Sequence, residues 1–142
     1  PDDARRFMEK VLENDHTAAQ PLRQLVAQAR GADDAAVRQR AAERLIEIDP
    51  FDAAAHTALG DLALARQDIP VALRELQAAV DAGPPNPAEA LTSLAEATMK
   101  TGQRDQAKRH LIKALETTPR HERAQDLLLA IIDGRTPEGQ PR

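Results

Sequence analysis

The residues of this 142-residue chain that could do chemistry are four histidines, scattered hydroxyls and many carboxylates, with no cysteine at all. The histidines are His16, His56, His110 and His121, and no two lie three or four residues apart. No helix face therefore presents the paired imidazoles that a metal site needs. His121-Glu122 opens like a zinc-protease motif, but Arg123, Ala124 and Gln125 follow and the second histidine is missing. The lack of cysteine excludes disulfide scaffolds, thiolate zinc, iron–sulfur clusters and a thiol nucleophile, and it fits either redox compartment. Thr57, Thr92 and Ser93 fall within helical stretches, and no acid–histidine pair is placed to activate them. No glycine-rich phosphate loop and no Gly-x-Ser-x-Gly elbow occurs. Asp33-Asp34 sits at a helix start, where negative charge is favoured without any catalysis. The expectation is a protein that is not an enzyme and uses neither cofactor nor metal.

Composition narrows the class further. At 15.5 kDa the chain is one domain's worth. Hydrophobic residues make up 42% of it, yet only 1% are aromatic, while alanine occurs 28 times. Its apolar content is thus mostly Ala and Leu, suited to closely packed helices. A net charge of −4 and the absence of Trp and Tyr argue against nucleic acid, which needs basic grooves and stacking platforms. No apolar run approaches the roughly 20 residues of a membrane span, so no membrane insertion is expected. Pro1-Asp2-Asp3 does not open a signal peptide and reads as the start of a piece of a longer polypeptide. Both cytoplasm and periplasm fit, and 15 Arg against 4 Lys leans towards a bacterial protein.

Helices must position whatever these residues do. Apolar residues recur at spacings of three and four. The stripes are Phe7, Val11 and Leu12; Leu22, Leu25, Val26 and Ala29; Ala72, Leu76, Ala79 and Val80; and Leu111, Ala114 and Leu115. Breaks at Gly31, Asp49-Pro50, Gln67-Asp68, Gly83-Pro84-Pro85, Thr101-Gly102, Thr118-Pro119 and Asp133-Gly134 cut the chain into short helices. Asp34, Asp68 and Asp105 stand where N-caps or first-turn acids belong. Short helices joined by tight turns predict stacked antiparallel hairpins.

The hairpins repeat. Laying residues 53–87 over 88–121 places Leu59 on Leu94, Gly60 on Ala95, Ala72 on Ala107, Leu76 on Leu111, Ala79 on Ala114 and Pro84 on Pro119, each pair 35 residues apart. Pro50 to Pro84 is 34, and the Pro84-Pro85-Asn86-Pro87 turn absorbs the extra residue. This pattern resembles the tetratricopeptide repeat family, whose roughly 34-residue unit carries W-x2-L-G-x2-Y, then A-x3-F, then P. Here the first copy reads His56-x2-Leu59-Gly60-x2-Ala63, Ala72-x3-Leu76, Ala79 and Pro84. The second reads Leu91-x2-Leu94-Ala95-x2-Thr98, Ala107-x3-Leu111, Ala114 and Pro119. The small residues and prolines are kept, while His56, Leu91, Ala63, Thr98, Leu76 and Leu111 stand in for the aromatics. His56 reads as a packed substitute for one of them.

The resemblance implies an all-α superhelix of about seven to eight helices. Its expected parts are an N-terminal helix over 1–16, a degenerate hairpin over 19–52, two repeats over 53–87 and 88–121, a capping helix over 122–133 and a flexible tail over 134–142. The degenerate unit carries Val26 where Gly60 and Ala95 stand, and Arg38 where Ala72 and Ala107 stand.

In this family the first helix of each repeat lines a concave face. Carrying the register over, the first repeat offers Ala54, Thr57, Ala58, Asp61, Leu64 and Ala65. The second offers Glu89, Thr92, Ser93, Glu96, Met99 and Lys100, and the degenerate unit Arg23, Ala27 and Arg30. Small side chains leave room for a peptide. The family's clamp of Lys, Asn and Arg for a terminal carboxylate does not carry over, because Thr57, Asp61, Thr92, Ser93 and Glu96 occupy the donor positions. Chaperone C-termini are therefore not expected ligands. Three functional readings follow. The first is a protein-interaction module that takes a peptide or partner segment in its concave face, within a larger bacterial protein. The second is an oligomerisation or intramolecular docking domain acting through Leu129 and Ile132 of the last helix, possible homo-oligomers included. The third is a pentatricopeptide-like RNA binder, which the acidic charge and the small-residue pattern disfavour.

Overall fold

The computed structural model describes residues 6, 10 and 19–134. Among these the chain is helical, without strands. Seven α-helices follow one another: α1 (Ala19–Gln28), α2 (Ala35–Ile48), α3 (Ala53–Ala65), α4 (Ile69–Asp81), α5 (Ala88–Lys100), α6 (Arg104–Thr117) and α7 (Glu122–Ile132). A 3-10 turn at Ala32–Asp34 leads into α2. The expected N-terminal helix lies outside the described residues except for Arg6 and Lys10, which are helical, as does the expected tail after Gly134.

Side-chain caps start three of the helices. The Asp52 carboxylate accepts from the Ala55 N–H at 2.9 Å, Asp68 from the Val71 N–H at 3.4 Å, and the His121 Nδ1 from the Ala124 N–H at 3.2 Å. Each satisfies a donor that the first helical turn leaves unpaired, worth about 1 kcal/mol. Asp34 occupies the N-cap position of α2 without such a bond, and Asp105 lies in the first turn of α6.

The α3–α4 and α5–α6 turns are built alike. The Gln67 N–H reaches the Leu64 carbonyl at 3.0 Å, and the Gly102 N–H reaches that of Met99 at 2.9 Å. Asp68 bonds back to Ala63 as Gln103 does to Thr98. The turn residue has φ 60° at Gln67 and φ 80° at Gly102. Glycine enters that left-handed region freely, whereas glutamine is strained there.

The core is a row of three clusters rather than one centre. Leu22, Leu25 and Leu45 pack with Ala41, Ala42, Ala55 and Ala58 between α1, α2 and α3. Leu76, Ala72, Leu64 and Leu94 fill the space between α3, α4 and α5. Leu91, Leu111, Ala107, Ala114 and Leu127 do so between α5, α6 and α7. Alanines 72, 79, 95, 107 and 114 are fully buried at the crossings, where a larger side chain would push the axes apart. Gly60 shows how tight this is: a Cβ there would lie 2.4 Å from the Leu76 Cγ.

α1, α3, α5 and α7 pack side by side, each on the next, while α2, α4 and α6 make no contact with one another. That asymmetry gives the stack an inner wall made of the first helix of each hairpin. His56 ties this wall to the outer one. Its Nε2 donates to the Pro50 carbonyl at 2.8 Å, and its Nδ1 meets the Glu75 carboxylate of α4 at 2.8 Å. The aromatic position is thus filled by a hydrogen-bonded clamp rather than by an apolar plug. Burial pushes the Glu75 carboxyl up, but the hydrogen bonds and charges of His56 and Arg74 outweigh it and hold the group below its ordinary value.

Candidate functional site: the inner groove

The inner wall encloses a groove of about 220 Å³ between α1, α3 and the start of α5. Six residues read from the register meet there: Arg23, Ala27, Arg30, Ala54, Thr57 and Glu89. Ala54 and Thr57 sit on the first turns of α3, which Asp52 caps, so the cap sets the height of the groove floor. Arg23 is anchored at the same point, its Nε donating to Asp52 at 2.6 Å, with Asp49 at 3.9 Å from its Nη2.

Other residues of the expected face lie elsewhere. Ala58, Leu64, Thr92 and Ser93 are buried. Ala58 and Leu64 belong to the core clusters. The Thr92 hydroxyl donates to the Ala88 carbonyl at 2.6 Å. Met99 packs on the α5–α6–α7 cluster. The register gives the solvent side of a helix on its own, but α3 and α5 each have neighbours on both flanks, which narrows the open arc. Ala65 is exposed at the end of α3, and Lys100 is half-buried at the end of α5, where a cation favours the helix dipole.

The α5 end of the wall is closed by α7. The Arg123 guanidinium donates to Glu89 at 3.2 Å, to Ser93 at 3.1 Å and to Glu96 at 2.7 Å. Because the His121 Nδ1 accepts from a backbone N–H, its proton lies on Nε2, which faces Glu89 at 3.1 Å. Arg123 follows Glu89 by 34 residues, the repeat spacing, so this one pair of the network joins equivalent positions of successive units.

Arg38 of α2 is a charged residue that the register missed on this face. Its guanidinium donates to the Val26 carbonyl at 3.3 Å and lies 3.7 Å from the Asp61 carboxylate. Its visible signal was a charge at a crossing position that alanine fills in the two clear repeats. Burial, with the like charge of Arg30 adding to it, holds Arg38 below its ordinary range, while Asp61 and Glu89 pull the other way. Burial pushes the Asp61 carboxyl above its ordinary value, against Ser93, Arg123 and Arg38. The Asp61 Oδ1 is buried without a hydrogen-bond partner. The wall thus has two ends of opposite character, cationic at α1–α2 and acidic but neutralised at α5–α7.

Among the described residues no group of three His, Asp or Glu side chains could hold a metal ion, and no helix is long and apolar enough to cross a membrane. No protein-family profile matches the chain, and no curated protein matches it in sequence. Solved structures do match. MamA aligns over 91% of this chain and 75% of its own at 21% identity with a TM-score of 0.75. YrrB, described as a TPR protein with an unusual peptide-binding site, aligns over 90% of this chain and 65% of its own at 18% identity with a TM-score of 0.73. The fold is that of a tetratricopeptide-like helical repeat. A mutant O-GlcNAc transferase of Thermobaculum terrenum carries the same architecture at 25% identity and a TM-score of 0.74, over 81% of this chain. This chain spans only 22% of that transferase. The tetratricopeptide-like stack explains why the inner wall is made of first helices and why equivalent polar positions meet one repeat apart.

Proposed function

We propose that this tetratricopeptide-like domain is a non-catalytic protein-interaction module, part of a larger bacterial protein, that holds a peptide or partner segment in its inner groove. The supporting observation is the groove itself, floored by Ala54, Thr57 and Ala90 and walled by charged side chains. A volume of about 220 Å³ suits a stretch of extended chain with one or two side chains, and is below the range of drug-sized ligand cavities. Selection of peptides on the immobilised chain tests this. Selected peptides should bind the wild type and lose binding to Ala54→Trp, a substitution at an exposed position that fills the groove. Peptides that bind both proteins equally would place recognition elsewhere.

A second reading rests on α7, where Leu129 is 56% and Ile132 is 61% exposed. These side chains would join α7 to a second copy or to a neighbouring domain. Light scattering over a concentration series distinguishes the two readings. A concentration-independent monomer rules out self-association, and a dimer dissolved by Leu129→Glu supports it.

A further inference from the structure

Three arginines, Arg23, Arg30 and Arg38, and one acid, Glu89, line the groove. Three of these four are already matched. Arg23 is held by Asp52 and Asp49, Arg38 shares Asp61, and Glu89 is occupied by Arg123 and His121. Arg30 is not. It is exposed, and among the described residues its Nε donates only to the Ala27 carbonyl at 3.1 Å and no carboxylate pairs with it. Arg30 and Arg38 line the same groove, where their like charges oppose each other. Two guanidiniums lining a groove floored by small side chains form a place that an anion would relieve, and a carboxylate can accept from such donors in bidentate fashion.

Resting on the groove-binding reading above, we propose that the α1–α2 end of the groove is the specificity subsite, and that it seats an aspartate or glutamate side chain from an internal stretch of the partner protein against Arg30. Bulk charge does not account for such a preference. The protein carries −4 overall, so an acidic segment is drawn only by this local surplus. The other end has no such surplus, because Arg123 is already divided among Glu89, Ser93 and Glu96. The partner segment is therefore acidic at one end only.

The test uses three dodecapeptides, acetylated and amidated, identical except for a Glu-Glu, Gln-Gln or Lys-Lys pair near one end. Affinity is read by fluorescence anisotropy, and the binding place by amide shifts of Ala54, Thr57 and Ala90. The Glu peptide should bind about tenfold more tightly than the Gln peptide, more weakly as salt rises, and the Lys peptide least. Arg30→Glu should abolish the preference, and Arg30→Lys should retain part of it. Circular dichroism of both variants should match the wild type, since Arg30 is exposed. Equal binding of the Glu and Gln peptides at these amides overturns the subsite and leaves groove binding standing. So does a fourth, unamidated Gln peptide that binds there as tightly as the Glu peptide. If none of the three moves these amides, both the subsite and the groove reading fall.

Discussion

Gly60→Ala is the sharpest probe of how the hairpins are packed. The added Cβ would meet the Leu76 Cγ at 2.4 Å and its Cδ2 at 2.6 Å. Carbon atoms in contact sit at about 3.5–4.0 Å, so α3 and α4 must separate by roughly 1 Å or Leu76 must leave its rotamer. Overpacking of this kind costs about 1–3 kcal/mol. Replacing a mid-helix glycine returns about 0.5–1 kcal/mol. The packing term wins, leaving a net loss of about 1–2 kcal/mol and a melting temperature lower by roughly 3–8 °C. Urea unfolding of four proteins (wild type, Gly60→Ala, Leu76→Ala and the double variant) measures it. Leu76→Ala removes a fully buried side chain and costs about 2–5 kcal/mol alone. In the Gly60→Ala background it should cost at least about 1 kcal/mol less, since the clash disappears with it. Ala95 stands at the same register 35 residues on and is fully buried, so Ala95→Gly should lose about 0.5–1 kcal/mol from helix propensity and roughly another 1 kcal/mol from the buried methyl. A Gly60→Ala protein that melts at or above the wild type, or costs that add without coupling, would refute the close approach.

Truncation after Pro119 removes α7 and uncovers Leu111, Ala107 and Ala114. The buried Leu127 and the inter-repeat contacts should make this cost about 3–5 kcal/mol, and an unchanged melting temperature contradicts it. Gln67→Gly relieves a left-handed backbone at φ 60°, with an expected gain of about 0.5–1 kcal/mol in urea unfolding, whereas a loss would show that Gln67 is not strained. Asp61 holds its proton longer in the folded state than in the unfolded one, so its contribution to stability declines as pH rises through the window above the ordinary carboxylate value. The stability of Asp61→Asn relative to wild type should therefore grow as pH is raised from about 4. A difference that stays constant with pH would sink that assignment.

The hairpins were legible because alanines 72, 79, 107 and 114 and the prolines repeat at a fixed interval, and a repeat read twice constrains itself. The site was half legible. Ala54, Thr57 and Glu89 reach the groove from the first turns of α3 and α5, and Arg23, Ala27 and Arg30 from α1 and the residues just after it. Thr92 and Ser93 follow the same register but are buried, since burial depends on the two flanking helices and not on the helix that carries the residue. Arg38 and Arg123 were missed for a related reason. Each is a long side chain whose guanidinium lies far from its Cα, reaching into the wall from a helix whose sequence marks it only as a misfit or a cap. His56 looked like a core substitute because its position is apolar in the repeat. Its partners Pro50 and Glu75 lie on two other segments, and no single-helix pattern links them.

Site-specific photo-crosslinking from the inner wall shows whether a partner segment lies in the groove. A photoreactive residue at Ala54, on the groove floor, is compared in the producing cell with one at Gln77, exposed on α4 of the outer wall. A protein adduct is expected from Ala54 that maps to an internal acidic stretch of the partner, disappears in the Arg30→Glu background, and is absent from Gln77. Adducts formed from Gln77 but not from Ala54, or an Ala54 adduct indifferent to Arg30, would contradict that expectation.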